Sequence, residues 1–99
     1  MTKLHTTSSA KRDKPYDIGF SEEWNFNEVK DLGLTHNVVA GGKERIVPSE
    51  HDRLLIVTQG FASLSDTRQV IRDGNVIEIP ANTSIQFQGQ LKYYLISKK

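Results

Sequence analysis

The chain has 99 residues, enough for one domain with a single core and too few for two. Its 13 basic and 12 acidic side chains leave a net charge of +1, which excludes the strong positive field of nucleic-acid and anionic-membrane binders. It has no cysteine, which excludes disulfides, thiolate metal sites and thiol nucleophiles.

No stretch approaches the ~20 apolar residues that a membrane span requires, and the N-terminus has no apolar run typical of a signal sequence. We therefore expect a cytoplasmic protein that binds neither membranes nor nucleic acid.

Residues 1–15 are polar, rich in Ser, Thr and Lys, and end in a proline. This composition predicts a flexible basic N-terminal arm, followed by a single β-barrel domain over residues 16–99. Residues 16–36 are acidic, so the two segments could attract each other or a neighbouring subunit. We prefer a solvated arm beside a solvated acidic surface.

Residues 20–33 allow two interpretations. Ser21 could cap a short helix that ends at Gly33, with acidic residues in its first turn. Alternatively, Trp24 and Phe26 alternate as one face of a strand. We prefer a turn followed by a short strand.

From residue 34 the chain alternates between short extended runs and turn residues. The predicted strands cover residues 34–40, 43–47, 53–58, 61–65, 68–72, 75–79, 84–88 and 91–97. Asp73-Gly74 between two of them is a strong hairpin dipeptide, because glycine tolerates positive φ. Evenly spaced short strands without a helical pattern predict an all-β, antiparallel sandwich or barrel.

Hydrophobic alternation supports this fold. Ile77, Ile79, Ile85 and Phe87 recur at the period of two that a half-buried sheet requires. Residues 54–57 are apolar on both faces, which predicts a central strand covered on both sides.

The second half of the chain resembles the small single-domain cupins, RmlC-like jelly-roll barrels. Their second motif is Gly, five residues, Pro-x-Gly, two residues, His, three residues, Asn. Gly74, Pro80, Asn82, Ile85 and Gly89 keep that spacing. Asn82 replaces the second glycine, a mild change because asparagine tolerates the left-handed conformation.

The resemblance extends over residues 38–96 and includes the first cupin motif, which carries two histidines and a glutamate. Counting back from Gly60 places Arg53 at the glutamate, and Val47 and Ser49 at the histidines. Ile85 takes the histidine position of the second motif. A first-row metal in this fold needs imidazole and carboxylate ligands, which these four positions lack. We therefore expect no metal, no other cofactor and no catalytic residue among them.

The jelly-roll resemblance implies that these positions point into the barrel. We expect Arg53 and Ser49 to line its interior with Phe87, and with His36 and Tyr93 if those face inward. Such a pocket would bind a small polar or anionic ligand, for example a sugar or its acid. An internal ion pair of Arg53 with Glu44, Glu50, Asp52 or Glu78, or an Arg53 that reaches solvent, is the preferred alternative.

Three functions follow from this. The sequence favours a metal-free, non-catalytic module for small-molecule binding or for assembly as a homodimer, because residues 93–96 are apolar on both faces of the last strand. The alternative is a metal-independent enzyme resembling the sugar-type isomerases and epimerases of the superfamily, with His36 as base and Tyr93 as acid.

Overall fold

The computed structural model describes residues 3–16, 19–26 and 28–98. Within them a 3-10 helix, Thr7–Ser9, precedes eight strands. These are β1 (Lys11–Tyr16), β2 (Gly19–Trp24), β3 (Leu32–Val39), β4 (Lys43–Ile46), β5 (Arg53–Leu64), β6 (Val70–Arg72), β7 (Val76–Ile79) and β8 (Ile85–Lys98). All pairs are antiparallel, so the predicted all-β class is confirmed. No helix in these ranges is both long and apolar enough to traverse a bilayer.

The two longest strands, β5 and β8, pair along most of their lengths. The sequence predicts each as two strands interrupted at Gly60 and Gly89, but both continue through these glycines. A Cβ on Gly60 would collide with the carbonyl of Gln90, and one on Gly89 with the carbonyl of Phe61. Their φ values, +127° and +143°, also disfavour other residues. The glycines therefore allow two continuous backbones to approach closely where a side chain would separate them.

Each long strand has different neighbours along its two halves. β7 pairs with the beginning of β5, and β6 pairs with its end. In the same manner, β4 pairs with the beginning of β8, and β3 pairs with its end. The prediction that Asp73-Gly74 closes a hairpin is therefore wrong, because β6 and β7 lie end to end along β5. The turn is fastened to β5 instead, since the N–H of Gly74 donates to the carbonyl of Val57 at 2.8 Å.

The core lies on one face of the strands, which we call the inner face. Its largest fully buried side chains are Phe87, Leu55, Ile79, Leu91 and Val57. The register aligns Val39 with Leu91 and Val57 with Tyr93, so β3, β5 and β8 contribute to the same layer. The alternation that predicted buried Ile79 and Phe87 is confirmed.

The opposite, outer face carries the residues between them, and it is less covered. In β5, Leu55 and Val57 are buried on the inner face, whereas Leu54 on the outer face is 40% exposed. The strand is central, as predicted, because it lies between β8 and the pair β6 and β7. The prediction that both of its faces are covered is wrong at Leu54.

In the segment with two interpretations, residues 20–24 belong to strand β2, whereas Phe26 lies beyond its end, so the strand precedes the irregular residues and does not follow a turn as preferred. β2 ends at Trp24, which is buried on the outer face and whose Nε1–H donates to the carbonyl of Thr6 at 2.9 Å. The helix capped by Ser21 is therefore wrong, because pairing with β3 along residues 19–24 extends the backbone.

The N-terminal segment packs against the barrel. β1 pairs with β2, in a register that places Lys11 opposite Glu23 and Arg12 opposite Glu22. Residues 11–15 therefore form an edge strand, although the sequence predicts that they lack structure of their own. The register also aligns basic with acidic positions of the two strands. The flexibility of the arm and the boundary between residues 15 and 16 stay predictions.

Candidate functional site

Arg53 is the residue with the most unusual environment. It begins β5 on the inner face, between Ile79 of β7 and Ser97 of β8, and is only 8% exposed. Its Nη2 donates to the carbonyl of Thr83 at 3.1 Å, whereas its buried Nε has no hydrogen-bond partner. The preferred internal ion pair is not observed, since no described carboxylate pairs with Arg53. The guanidinium is therefore a buried cation that lacks a counter-ion in the described chain.

Two loops at this end of the barrel hold the acceptor of Arg53 in place. The N–H of Asn82 donates to the carbonyl of Ser49 at 2.7 Å, and the N–H of Ala81 donates to Asp52 Oδ1 at 2.8 Å. Asn82 has a φ of +62°, which confirms that it takes the left-handed position predicted for the missing glycine. These two hydrogen bonds and the left-handed conformation of Asn82 therefore hold the loop whose Thr83 carbonyl accepts from Arg53.

The barrel interior beyond Arg53 is packed. Phe87 is 0% exposed, and its ring meets that of Tyr93 edge to face, with centroids 6.0 Å apart. Because no part of Phe87 is accessible to water, there is no hydrated cavity against its side chain. Phe87 and Tyr93 lie on the inner face as expected, but as core residues.

Two other predicted interior residues lie elsewhere. Val47 is 61% exposed, so the prediction that it points inward is wrong; β4 directs Glu44 and Ile46 to the inside, and the residue after Ile46 faces out. Ser49 lies in the loop after β4, where its Oγ accepts from the N–H of His51 at 3.2 Å.

The four former ligand positions do not fit a metal. Val47 is exposed, Ile85 is a hydrocarbon packed against the core, and Arg53 is a permanent cation that repels a divalent ion. Within the described ranges, no group of three or more His, Cys, Asp or Glu side chains comes together. The metal that the cupin resemblance implies therefore has no suitable ligand set here.

His36 lies on the outer face, which corrects the prediction that it lines the interior with Tyr93. The register places His36 opposite Tyr94, and Asn37 opposite Tyr93. Since consecutive residues of a strand point to opposite faces, His36 and Tyr93 cannot share a cavity. The physical reason for the error is that His36 shares its face with the apolar Leu34 and Val38, whereas the inner face of the same segment carries the polar Thr35 and Asn37 before Val39, so the pattern does not reveal which face is buried.

His36 belongs instead to a cluster with Glu22 and Tyr94, which we call the outer cluster. Its Nδ1 lies 3.0 Å from Oε1 of Glu22, whose carboxylate is buried, and its ring centroid is 4.8 Å from that of Tyr94. A carboxylate at Nδ1 holds the proton there and leaves Nε2 as the basic nitrogen. The sequence analysis did not identify Glu22 or Tyr94, although the spacing of Glu22 and Trp24 places both on one face of a strand.

Glu44 is a second buried carboxylate, which the sequence suggested only as one of four partners for Arg53. Glu44 lies on the inner face of β4 opposite Phe87, and its Oε1 accepts from the N–H of Arg45 at 3.0 Å. Its position two residues before Ile46, a core residue, places it on the same face of the strand.

A groove of about 480 Å³, which we call the Arg53 groove, lies on the outer face where β5 begins and where β7 and β8 end. Asp52, Glu78, Ser97 and Lys98 form its polar lining; Arg53 borders it, but the side chain of Arg53 lies on the inner face. The hydrocarbon lining consists of Leu32, Leu54, Ile79, Pro80 and Ile96. A small molecule would fit in this volume.

Two further grooves lie on the outer face near the N-terminal segment. They have volumes of about 480 and 330 Å³ and share His5, Phe26, Leu34 and Ile96. Trp24 and Tyr94 line the smaller one, so the outer cluster lies beside an aromatic surface.

No protein-family model matches the chain, and no curated protein does. Its fold does match solved structures. An RmlC-like cupin from Shewanella frigidimarina NCIMB 400 has a TM-score of 0.75 and 10% identity, covering 99% of this chain and 91% of that one. KdgF from Halomonas sp. has a TM-score of 0.73 and 15% identity, covering 100% and 96%. The nucleoside dehydratase Pac13 of Streptomyces has a TM-score of 0.77 and 14% identity, covering 99% and 82%.

At these identities the likeness shows the fold alone. The chain has the cupin jelly-roll fold, as its motif spacing predicts, and the same fold occurs in a nucleoside dehydratase and in proteins of other kinds. Its activity must therefore be argued from its own residues.

Proposed function

We propose that this cupin-fold protein is a non-catalytic, cytoplasmic binding module that holds a small polar or anionic molecule, such as a sugar or its acid, at Arg53 without a metal. The buried guanidinium carries the proposal, because its one hydrogen bond is to a neutral carbonyl and no described carboxylate pairs with it. Desolvating a cation is costly unless an opposite charge compensates. An anion that reaches the guanidinium from the open end of the barrel supplies this charge.

The chemistry of the guanidinium supports an anionic ligand. Arginine offers five N–H donors in a plane that matches a carboxylate or phosphate, and only Nη2 is engaged within the described chain.

Thermal unfolding and calorimetric titration test the proposal with gluconate, inorganic phosphate and glucose as probes. We expect at least one anion to bind and raise the Tm, and Arg53→Ala to abolish the effect. Arg45→Ala, which removes an exposed arginine outside the groove, is the control and should leave binding unchanged. Equal responses of wild type and Arg53→Ala would contradict the proposal.

We also propose that the module is a homodimer that pairs through its outer face. Val76 is largely exposed there, and it lies beside Ile56, which β5 places next to Tyr94. Surface hydrocarbon in one contiguous patch is typical of an interface.

Light scattering after size-exclusion chromatography measures the assembly. We expect a dimer for wild type, a monomer for Val76→Glu and a dimer for Val47→Glu, the matched control at an exposed valine outside the patch of Val76, Ile56 and Tyr94. A monomeric wild type at high concentration would refute the dimer and leave the ligand proposal intact.

The outer cluster favours a second candidate, metal-independent proton transfer of the sugar isomerase or epimerase type. His36 would act as base through Nε2 while Glu22 holds Nδ1, and Tyr94 would take the acid role that the sequence assigned to Tyr93.

Nuclear magnetic resonance in heavy water tests this proton transfer with a panel of keto sugars. We expect deuterium exchange next to the carbonyl that is lost in His36→Asn and kept in His51→Asn. Absence of exchange with wild type across the panel would exclude the candidate.

A further inference from the structure

We infer that the protein binds an acidic polysaccharide, a polymer of sugars that carry carboxylates, on a second surface. This surface is the outer side of β4, of β6, of residues 59–64 in β5 and of residues 85–91 in β8, and we call it the glutamine face. It does not include Arg53, whose side chain lies on the inner face. The patch proposed for the dimer lies on the other halves of β5 and β8, so the glutamine face stays accessible in the dimer.

Three glutamines form a row at the centre of this face. Gln86, Gln88 and Gln90 occupy alternate positions of β8, so their side chains point the same way, and all three are exposed. The row is about 13 Å long at the rise of an antiparallel strand, which is longer than one sugar ring. Within the described chain the three side-chain amides form no hydrogen bond, so each offers donors and an acceptor to a ligand.

Positive charges flank the row on both sides. Lys43 and Arg45 of β4 lie directly beside it, and Arg72 of β6 lies on its other side, across β5. These three side chains are exposed and pair with no described carboxylate. Among the described residues of the four strands, no Asp or Glu points outward, because Glu44 of β4 is buried on the inner face. The face is therefore positively charged although the net charge of the chain is only +1.

A groove of about 300 Å³ continues the glutamine face toward β3. Its polar residues are Gln59, Gln90 and Lys92, so it also lacks a carboxylate. Asp66 and Asp73 lie in the turns on either side of β6, where each accepts a hydrogen bond from a backbone N–H. A polymer that follows the row of glutamines can thus extend into the groove without meeting an acidic side chain there.

The chemistry of the face fits hydroxyl groups and carboxylates together. A glutamine amide both donates and accepts hydrogen bonds, which matches a sugar hydroxyl, and the exposed cations match carboxylates. Phe61 lies between Gln90 and Arg72 and is 58% exposed, so it adds an apolar surface for the C–H side of a sugar ring.

Nucleic acid and acidic protein fit this face less well. Single-stranded nucleic acid is held by successive aromatic side chains on which the bases stack. Among the described residues that point outward here, Phe61 is the one aromatic side chain, and the guanidinium of Arg72 already lies 5.4 Å from its ring centroid. A protein interface has an apolar centre, whereas the centre of this face is a row of amides.

Fluorescence anisotropy with labelled carboxymethyl-dextran at low ionic strength tests the inference. Three competitors separate its parts: dextran has the hydroxyl groups without the charge, polyglutamate has carboxylates without hydroxyl groups, and poly(U) represents nucleic acid. We expect carboxymethyl-dextran to bind at least about tenfold more tightly than each of the three, because each competitor lacks one set of contacts. Its affinity should fall as salt is added.

Variants locate the binding. The double variant Lys43→Gln, Arg45→Gln should weaken carboxymethyl-dextran by about tenfold or more. The matched control Lys30→Gln, Lys98→Gln removes the same charge from exposed positions outside the face and should change the affinity by less than about twofold.

Gln88→Ala separates recognition of hydroxyl groups from attraction between charges. It should weaken carboxymethyl-dextran and leave the weaker binding of polyglutamate unchanged. Arg53→Ala should change neither, so the glutamine face and the proposed ligand at Arg53 are tested independently.

Tighter binding of carboxymethyl-dextran that depends on the charges of β4 and on Gln88 supports the inference. Absence of binding overturns it. Equal affinity for dextran, polyglutamate or poly(U), or equal losses in the two double variants, also overturns it, because the face would then not select a charged sugar polymer. None of these outcomes affects the proposed function at Arg53.

Discussion

The two faces of the sheet differ sharply although the same strands build them. Tyr93 packs edge to face on Phe87 inside the core, while its neighbour Tyr94 lies against the ring of His36 on the outer face. The inner face is enclosed by the chain itself, because both halves of the long β5 and β8 strands contribute to it. The outer face keeps exposed hydrocarbon and a buried carboxylate, Glu22. The inner face is therefore a packed hydrophobic core, whereas the outer face carries polar contacts and grooves.

Phe87 should be the most sensitive test of this difference. Phe87→Ala removes a fully buried ring, so we expect a loss of about 3–5 kcal/mol in the free energy of unfolding, measured in urea. Phe61→Ala is the matched control, because Phe61 is 58% exposed, and should cost less than about 1 kcal/mol. Similar losses in the two variants would mean that the inner face is not the core.

A substitution of Arg53 probes the inner face at the open end of the barrel. Arg53→Met replaces a buried cation without a counter-ion by a hydrocarbon of similar length, and we expect a gain of about 1–4 kcal/mol in the free energy of unfolding. Arg45→Met, at an exposed arginine, should stay within about 0.5 kcal/mol of wild type. A large loss in Arg53→Met would indicate that the guanidinium has an anionic partner within the chain.

Glu22 tests the outer face. Glu22→Ala removes the acceptor at Nδ1 of His36, and we expect a loss of about 1–3 kcal/mol in the free energy of unfolding. Ring nitrogen chemical shifts of His36 should change at the same time, because the carboxylate no longer holds the proton at Nδ1. Glu23→Ala, the exposed neighbour, should change neither quantity appreciably; an equal loss in both variants would contradict a special role for Glu22.

We expect substitutions of Asn82 to change the free energy of unfolding least. They test the conformation of the loop that supports Arg53. Asn82→Gly should alter the free energy of unfolding by less than about 0.5 kcal/mol, because both residues accept a positive φ. Asn82→Val should cost about 1–2 kcal/mol, since a branched side chain is strained there. Urea unfolding of the two variants measures the difference, and equal stability would argue against the left-handed conformation.

Much of the fold is predictable from local signals. The spacing of Gly74, Pro80 and Gly89 and the alternation toward Ile79 and Phe87 are enough for a cupin barrel. The continuity of β5 and β8 cannot be predicted in this way, because a glycine such as Gly60 or Gly89 usually indicates the end of a strand in the sequence. Their role depends on the backbone of the opposite strand, which no local pattern contains.

The site is predictable only in part. Counting from Gly60 correctly places Arg53 at the inner face, but the lack of an ion pair depends on distances between separate loops. The direction of His36 is hidden, because its own face carries the apolar Leu34 and Val38 although it is the outer one. Its contact with Glu22 joins strands β2 and β3, so it follows from register and not from composition.

The pairing of β5 with β8 has a consequence for how the protein unfolds. β3 and β4 pair with different halves of β8, and β6 and β7 with different halves of β5, so the β5–β8 pair connects all four shorter strands. Local opening of this pair removes hydrogen bonds on which strands at both ends of the molecule depend. The barrel therefore unfolds as one cooperative unit, and amides in strands far apart in space exchange with solvent through the same event.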